Sequence, residues 1–404
     1  MRITLLNQYY APDEAATAQL LADLGAGLAR SGHEVSAVCC DRCYADPELR
    51  YPRRDVLDGV SVSRVRATGF GRSRGAAGRL VDYVSFLAGA SIALFSGKRP
   101  QVLICLSTPP MIAVLGMLVS KIRRSRFVFW VMDVYPELAF RLGVVKPGSV
   151  AGRLLGWLSR APLRRSDRIV ALGPSMAVEL GRAGAEKVDV VHNWADGETI
   201  RPRPIAGHPL RADWGWNDRF VVLYSGNMGL AHEFETLLAV ADRLRDDPSI
   251  LFSFVGGGPR RAEVEREAKR LGLPNVEFRP YAPRSQLDQS LTAGDVHLVT
   301  LRERMPGLLV PSKIYGILAA GRPTLYVGPP TGEIAEILRE GRCGTLVPSG
   351  DAEALLDAIR SYRSEPGRAE REGERARELF DARFARPIAL RSFEDLIEGL
   401  AGGS

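Results

Sequence analysis

Long apolar runs are the first thing this sequence lacks. Although 46% of the 404 residues are hydrophobic, no stretch reaches the ~18–20 apolar residues that a membrane-spanning helix needs. Segments 80–95 and 110–122 come nearest, and the second runs into Lys121, Arg123, Arg124 and Arg126. Both read as buried helices, with association to a membrane surface as the other reading. The start reads as a strand and not as a signal peptide, because Asn7 and Gln8 follow Arg2 too soon for an apolar core. Cysteine is scarce and odd in number, five in all, and Cys40 and Cys43 form a CxxC without a second pair. That argues against zinc and for a reduced, cytoplasmic chain. The first strand–turn–helix has no GxGxxG, which disfavours a nicotinamide or flavin dinucleotide there. Acidic residues are short in the first half only. Residues 1–190 hold 26 Lys and Arg against 16 Asp and Glu, and the rest of the chain is mildly acidic within a net charge of +7. A basic first half suits an anionic partner; plain enrichment in arginine is the alternative.

What is present reads as an α/β protein of two domains. Residues 3–6 form an apolar strand, 15–30 carry apolar residues at helical spacing, and 35–39 form a second strand. Further strands are expected at 60–66, 102–106, 127–131, 169–172 and 188–191, with a mobile basic loop over 70–78. Pro202 and Pro204 suggest an interdomain linker, and the first domain is set at 1–198. The pattern repeats in a second domain over 199–380, with strands at 220–224, 250–255, 276–279, 296–300, 324–327 and 344–347. Residues 384–400 form a last amphipathic helix within a terminal segment, 381–404. Ligands of open parallel sheets bind beyond the carboxyl ends of the strands. Asp133 and Glu137 lie at such an end, where they either face a ligand or cap the following helix. The turns with Gly226 and Asn227, and with Gly256 and Gly257, also lie at strand ends, where backbone can approach a nucleotide without a side chain in the way.

One stretch organises the second half. Pro311 breaks what precedes it, Ser312 suits an N-cap, 313–320 reads as a short helix, and Gly321 with Pro323 ends it. Ser312 and Lys313 then sit at a helix start, where free N–H groups favour an anion. The other reading is a solvated lysine on an ordinary helix.

The chain resembles glycosyltransferase family 4, most nearly the bacterial O-antigen N-acetylfucosaminyltransferase-like group. The resemblance rests on Tyr10-Ala11-Pro12-Asp13, Gly32-His33-Glu34-Val35, Asp133-Val134-Tyr135-Pro136-Glu137, Tyr224-Ser225-Gly226-Asn227-Met228-Gly229, Val255-Gly256-Gly257-Gly258-Pro259 and Pro311-Ser312-Lys313. It implies the GT-B fold, two Rossmann-like parallel-sheet domains facing a central cleft, with the last helix returning to the first domain. It implies transfer with retention from a nucleotide-sugar, UDP by family frequency, in the second domain. The acceptor belongs to the first, at Tyr10, Asp13 and Thr17. No cofactor, metal or nucleic acid is implied. The donor residues implied are Gly226, Asn227, His232, Gly256, Gly257, Arg302, Ser312 and Lys313.

The departures from the family bear on mechanism. The Glu-x7-Glu acids of many members fall on Leu308 and Gly316, so Glu333 and Glu336 are the substitutes for holding the ribose. The family's Arg and Lys after the first strand of the second domain fall on Asn227 and His232. Its His-Asp pair is Met132-Asp133, which makes Asp133 the first choice for the carboxylate at the reaction centre, with Glu137 beside it. Three functions stay open: a transferase acting on a polyprenyl-diphosphate-linked glycan at an anionic membrane surface, a transferase acting on a soluble small molecule, and a nucleotide-sugar-binding protein without turnover.

Overall fold

The computed structural model describes residues 1–44, 46, 48–70 and 75–401. They form two units. The first gathers Met1–His192, Gly307–Leu309 and Ala389–Ser404, and the second Asn193–Pro306 and Val310–Ile388.

The first unit runs β1 (Arg2–Leu6), α1 (Ala16–Arg30), β2 (Glu34–Cys40), β3 (Arg54–Leu57), β4 (Val60–Val65), α2 (Gly75–Ser96), β5 (Val102–Leu106), α3 (Ile112–Arg123), β6 (Arg126–Trp130), α4 (Glu137–Arg141), α5 (Val150–Arg165), β7 (Arg168–Ala171), α6 (Pro174–Arg182) and β8 (Val188–Val190). Its eight-stranded sheet has the order β3-β4-β2-β1-β5-β6-β7-β8. β1 pairs parallel with both β2 and β5, with Ile3 opposite Val35 and Val102. The central strands are apolar on both faces because helices cover both, and every residue of β5 is buried. β3 pairs antiparallel with β4 at the edge. The sequence reading missed it, because its pattern alternates exposed and half-buried residues, as an edge strand's can. The basic loop expected over 70–78 is helix from Gly75 on, and 71–74 lie outside the described residues. All five cysteines are free and buried.

The second unit runs α7 (Pro209–Trp214), β9 (Phe220–Ser225), α8 (Glu235–Arg243), β10 (Ile250–Val255), α9 (Arg261–Leu271), β11 (Val276–Arg279), α10 (Leu287–Thr292), β12 (Val296–Thr300), α11 (Lys313–Ala319), β13 (Thr324–Val327), α12 (Glu333–Gly341), β14 (Gly344–Val347), α13 (Ala352–Ser364), α14 (Arg368–Arg383) and the start of α15 (Arg386–Ala401). The six-stranded sheet is wholly parallel, in the order β11-β10-β9-β12-β13-β14. Phe234, Phe252, Phe254 and Tyr224 pack its core beneath α8 and α13.

Two expected boundaries move. The second unit begins at Asn193, not 199, because Ala195 bridges to Ala385 and Asp196 pairs with Arg386 at 3.2 Å. Residues 381–388 therefore stay with the second unit. From Ala389 on, α15 belongs to the first unit, where Phe393 is buried against Trp130 with ring centroids 4.7 Å apart and Leu390 fits over Gly27.

Candidate active site

In the second unit the chain lays β9, β10 and β11 to one side and β12, β13 and β14 to the other. The order therefore reverses between β9 and β12, and such a switch point opens a crevice at the carboxyl ends of the strands. The residues around it hold one another closely. Ser225 is opposite Val255, so the turns after β9 and β10 emerge side by side. Gly226 N–H donates to Val255 O at 2.9 Å, and Met228 N–H to Gly257 O at 2.6 Å. Gly226 and Gly256 have φ of 128° and 141°, backbone that L side chains rarely adopt. A Cβ on Gly256 would collide with the carbonyl oxygen of Gly226. The Tyr224 hydroxyl donates to Asn227 O at 2.9 Å and pins the first turn, leaving the Asn227 side chain exposed.

Lys313 opens α11 and brings its amine to this turn. Nζ lies 3.4 Å from the Tyr224 ring centroid, and a Cβ on Gly226 would be 3.7 Å from it. The amine is buried and has no hydrogen-bond acceptor. Burial holds it well below the usual lysine range. The aromatic face offsets only part of that desolvation. His232 is also buried; its Nδ1 is 2.6 Å from Thr300 O. Burial, with Lys313 nearby, pushes the imidazole down to about 3. It is therefore neutral, with Nδ1–H donating to Thr300 and Nε2 left as an acceptor. Arg302 leans Nε onto His232 O at 3.3 Å and keeps the rest of its side chain partly exposed.

Other donor residues stand differently from the sequence reading. Ser312 does not cap α11: its backbone is already helical, with φ −61° and ψ −17°, and no side-chain cap bond forms. Pro311 accepts from Ile314 N–H at 3.2 Å, so the turn starts one residue earlier and Ser312 stays exposed. Gly321 ends that segment at φ 62°, as a left-handed residue should. Glu333 and Glu336 part company at the start of α12: Glu333 is 4% exposed and Glu336 is exposed. Gly316 faces Leu291, whose Cδ1 would lie 3.2 Å from a Cβ there, so packing accounts for that glycine. Leu308 belongs to the first unit, where its carbonyl accepts from Val134 N–H at 2.8 Å.

The first unit has its own switch point, between β1 and β5. Asn7 follows β1 with no exposure, and its Oδ1 is buried without a partner while Nδ2 donates to Tyr9 O at 2.7 Å. Ser107 follows β5 and accepts from the N–H groups of Met132 at 3.0 Å and Asp133 at 3.2 Å. This fixes the strand end beyond β6. On its other side Asp133 bridges to Leu309. Asp133 lines a cavity with Tyr135, Phe129 and Ser159. Burial pushes its carboxyl up to about 6, with no charged neighbour contributing. Neither acid caps α4, whose N-cap is Pro136 with no side-chain bond; Glu137 lies in the first turn with Oε2 buried and unpartnered.

The expected acceptor residues divide. Tyr10 is 2% exposed with its hydroxyl against Gly25 of α1, which makes it a packing residue. Asp13 is 1% exposed and both its oxygens are taken, Oδ1 by Ala15 N–H at 2.8 Å and Oδ2 by Tyr44 N–H at 2.7 Å. It ties two loops together and is shut off from solvent. Thr17 is half-buried on α1 with Oγ1 3.5 Å from Asn7 Nδ2, at the switch point itself. Asn7, Ser107 and Tyr224 are participants the sequence reading did not single out. Each is the first polar group at, or the last ring of, an apolar strand at a reversal of strand order. Glu233 is another, 9% exposed, with Oε1 accepting from Thr236 N–H at 2.6 Å and Oε2 unpartnered.

Comparison with known proteins agrees with this architecture. The family described as a glycosyl transferase 4-like domain matches residues 16–194, and glycosyl transferases group 1 matches residues 219–364. WcaI of Escherichia coli K12, described as a glycosyl transferase of colanic acid biosynthesis, is 28% identical over 429 residues, covering 99% of this chain and 100% of its own. WbjE of Pseudomonas aeruginosa, described as a glycosyltransferase, is 30% identical over 268 residues, covering 65% of this chain and 66% of its own. Among solved structures, sucrose-phosphate synthase from Thermosynechococcus elongatus has a TM-score of 0.76 at 19% identity, over 100% of both chains. Anabaena HepE in complex with UDP-glucose has a TM-score of 0.75 at 16% identity, over 99% of this chain and 100% of its own. At such identities the structures speak for the fold alone. The chain is a glycosyltransferase of the GT-B type, a glycosyl transferase 4-like domain followed by a group 1 domain.

Proposed function

We propose that the protein moves a hexosyl or N-acetylhexosaminyl group, with retention, from a UDP-sugar to a hydroxyl of a lipid-linked glycan during synthesis of a surface polysaccharide in the cytoplasm. The observation that carries the donor side is the Lys313 amine, buried without an acceptor beside two glycine turns at a strand-order reversal. A buried ammonium needs an anion, and a diphosphate is the anion a nucleotide-sugar brings. Support for the base comes from HepE, seen with UDP-glucose. Support for the pathway class comes from WcaI, named for colanic acid.

In this reading the C–O bond from the anomeric carbon to the diphosphate breaks and a new C–O bond forms to the acceptor oxygen. Lys313 and Arg302 meet the charge of the leaving diphosphate, in place of a metal, where the glycine turns let it come close to the backbone. Neutral His232 offers Nε2 to a sugar hydroxyl. Glu333, at the start of α12, holds ribose hydroxyls. Asp133 takes the acceptor proton, for which a carboxyl near 6 is well matched at neutral pH. Glu137 and Thr17 orient the acceptor.

A donor screen tests the reading. Thermal shift and nucleotide release are measured with UDP-, GDP- and dTDP-sugars, for the wild type and Lys313→Ala. Stabilisation by UDP-sugars alone, lost in the variant, is the expected result. No stabilisation by any nucleotide would overturn it.

A further inference from the structure

We infer that the outer face of α2, α3 and α5 in the first unit docks on an anionic lipid bilayer, with Trp157 as its anchor. The three helices are neighbours in that order, and Arg123 of α3 binds Phe95 O and Gly97 O at the end of α2. None of the helices among the described residues is long and apolar enough to cross a membrane. Their outward residues are nonetheless apolar. Val150, Leu154 and Trp157 lie at i, i+4 and i+7 on α5, exposed by 83, 53 and 69%. Leu118 and Ile122 on α3 and Ile92 on α2 extend the face, at 48, 66 and 71%. Of the five tryptophans Trp157 is the most exposed. Apolar side chains exposed together on neighbouring helices call for a partner.

The charge around it selects the partner. Residues 138–165 contain Arg141, Lys146, Arg153, Arg160, Arg164 and Arg165 and no acid. Around the helix axis Arg153, Arg160 and Arg164 form a stripe directly beside Val150, Leu154 and Trp157. None of the six cations is in an ion pair among the described residues, whereas Lys269 and Arg270 on α9 pair with Glu265 and Glu267. An apolar stripe with an amphipathic aromatic, edged by cations, is what a helix lying in the headgroup region presents. A second copy of this chain is disfavoured, because a two-fold contact would set these cations against themselves. The surface shares no residue with the proposed donor site, so its failure and that of the donor reading are separately visible.

The full chain is sedimented with phosphatidylcholine vesicles, with and without phosphatidylglycerol, while tryptophan emission is followed. The wild type is expected to pellet only with phosphatidylglycerol, to shift its emission to the blue and to be released by salt. Leu154→Glu with Trp157→Glu is expected to lower partitioning by about tenfold or more and to abolish the shift. Arg153→Glu with Arg160→Glu lowers it as well. Both double variants replace exposed side chains, so their thermal midpoints and donor binding remain those of the wild type. Three results would overturn the inference: wild type left in the supernatant, double variants that pellet like the wild type, or a dimer in sedimentation equilibrium that the Trp157 substitution splits.

Discussion

A single amine, that of Lys313, has a charge state that depends on what fills the crevice. Burial holds it well below the ordinary lysine range in the free protein. An anion at 3–4 Å would raise it again. Nucleotide binding then takes up protons, and affinity falls as pH rises through the lowered value. Calorimetry in buffers of different ionisation enthalpy should show this uptake in the wild type and its loss in Lys313→Ala. Asp133 behaves in the opposite sense. Its folded pKa, about 6, stands above the ordinary 3.8, so the folded state holds the proton more tightly than the unfolded state. The stability this confers is full below the ordinary value and is lost as pH rises through 6, a difference of at most about 3 kcal/mol. Asp133→Asn should therefore raise the thermal midpoint at neutral pH and leave it unchanged near pH 4, while abolishing transfer. If Asp133 is the base, wild-type turnover falls below about pH 6. Gly256→Ala meets both an unfavourable φ and the Gly226 carbonyl. A loss of about 2 kcal/mol or more is expected by denaturant titration, against little or none for Gly181→Ala in α6, where the space is open.

Among the elements, the central strands were legible because burial on both faces makes them continuous apolar runs, and β5 and β10 stand out for that reason. Helix α5 was not. Val150, Leu154 and Trp157 face outward, and the buried positions are only Gly152, Pro162 and Leu163, so no regular core-facing pattern shows. Segment 80–95 likewise exposes Leu80, Val84 and Ile92 where burial was expected, whereas 110–122 buries Ile112, Met117 and Val119 as expected and exposes only Leu118 and Ile122 of its large apolar residues. The Ser312 cap failed because Pro311 had already begun the turn, and cap propensity says nothing of the residue before it. Glycine turns and Lys313 were found from sequence alone, since φ and chain ends follow local rules. The acceptor residues were not separable, because Tyr10 and Asp13 are consumed by contacts 15 to 31 residues away. Helix α15 is the element on which most depends. Phe393 has no exposure and meets Trp130, so Phe393→Ala should cost about 3–5 kcal/mol, measured as loss of the first unit's transition in chemical unfolding.

The molecule as a whole is not divided as its sequence is. Two domains could be counted from length and repeated pattern, but their membership rests on distant pairings: Leu308 with Val134, Ala195 with Ala385, Leu390 over Gly27. No local periodicity encodes them. A fragment ending at His192 lacks both Gly307–Leu309 and the α15 residues of the first unit. It should unfold without cooperativity, as read by the fluorescence of its tryptophans; a sharp transition would mean the first unit is complete without its late segments. That dependence has a temporal side. A ribosome adds ~5–20 residues per second, so Trp130 emerges some tens of seconds before Phe393 exists to cover it. The first unit is begun before the second and completed after it, and the nascent chain carries an open seam until Phe393 has emerged.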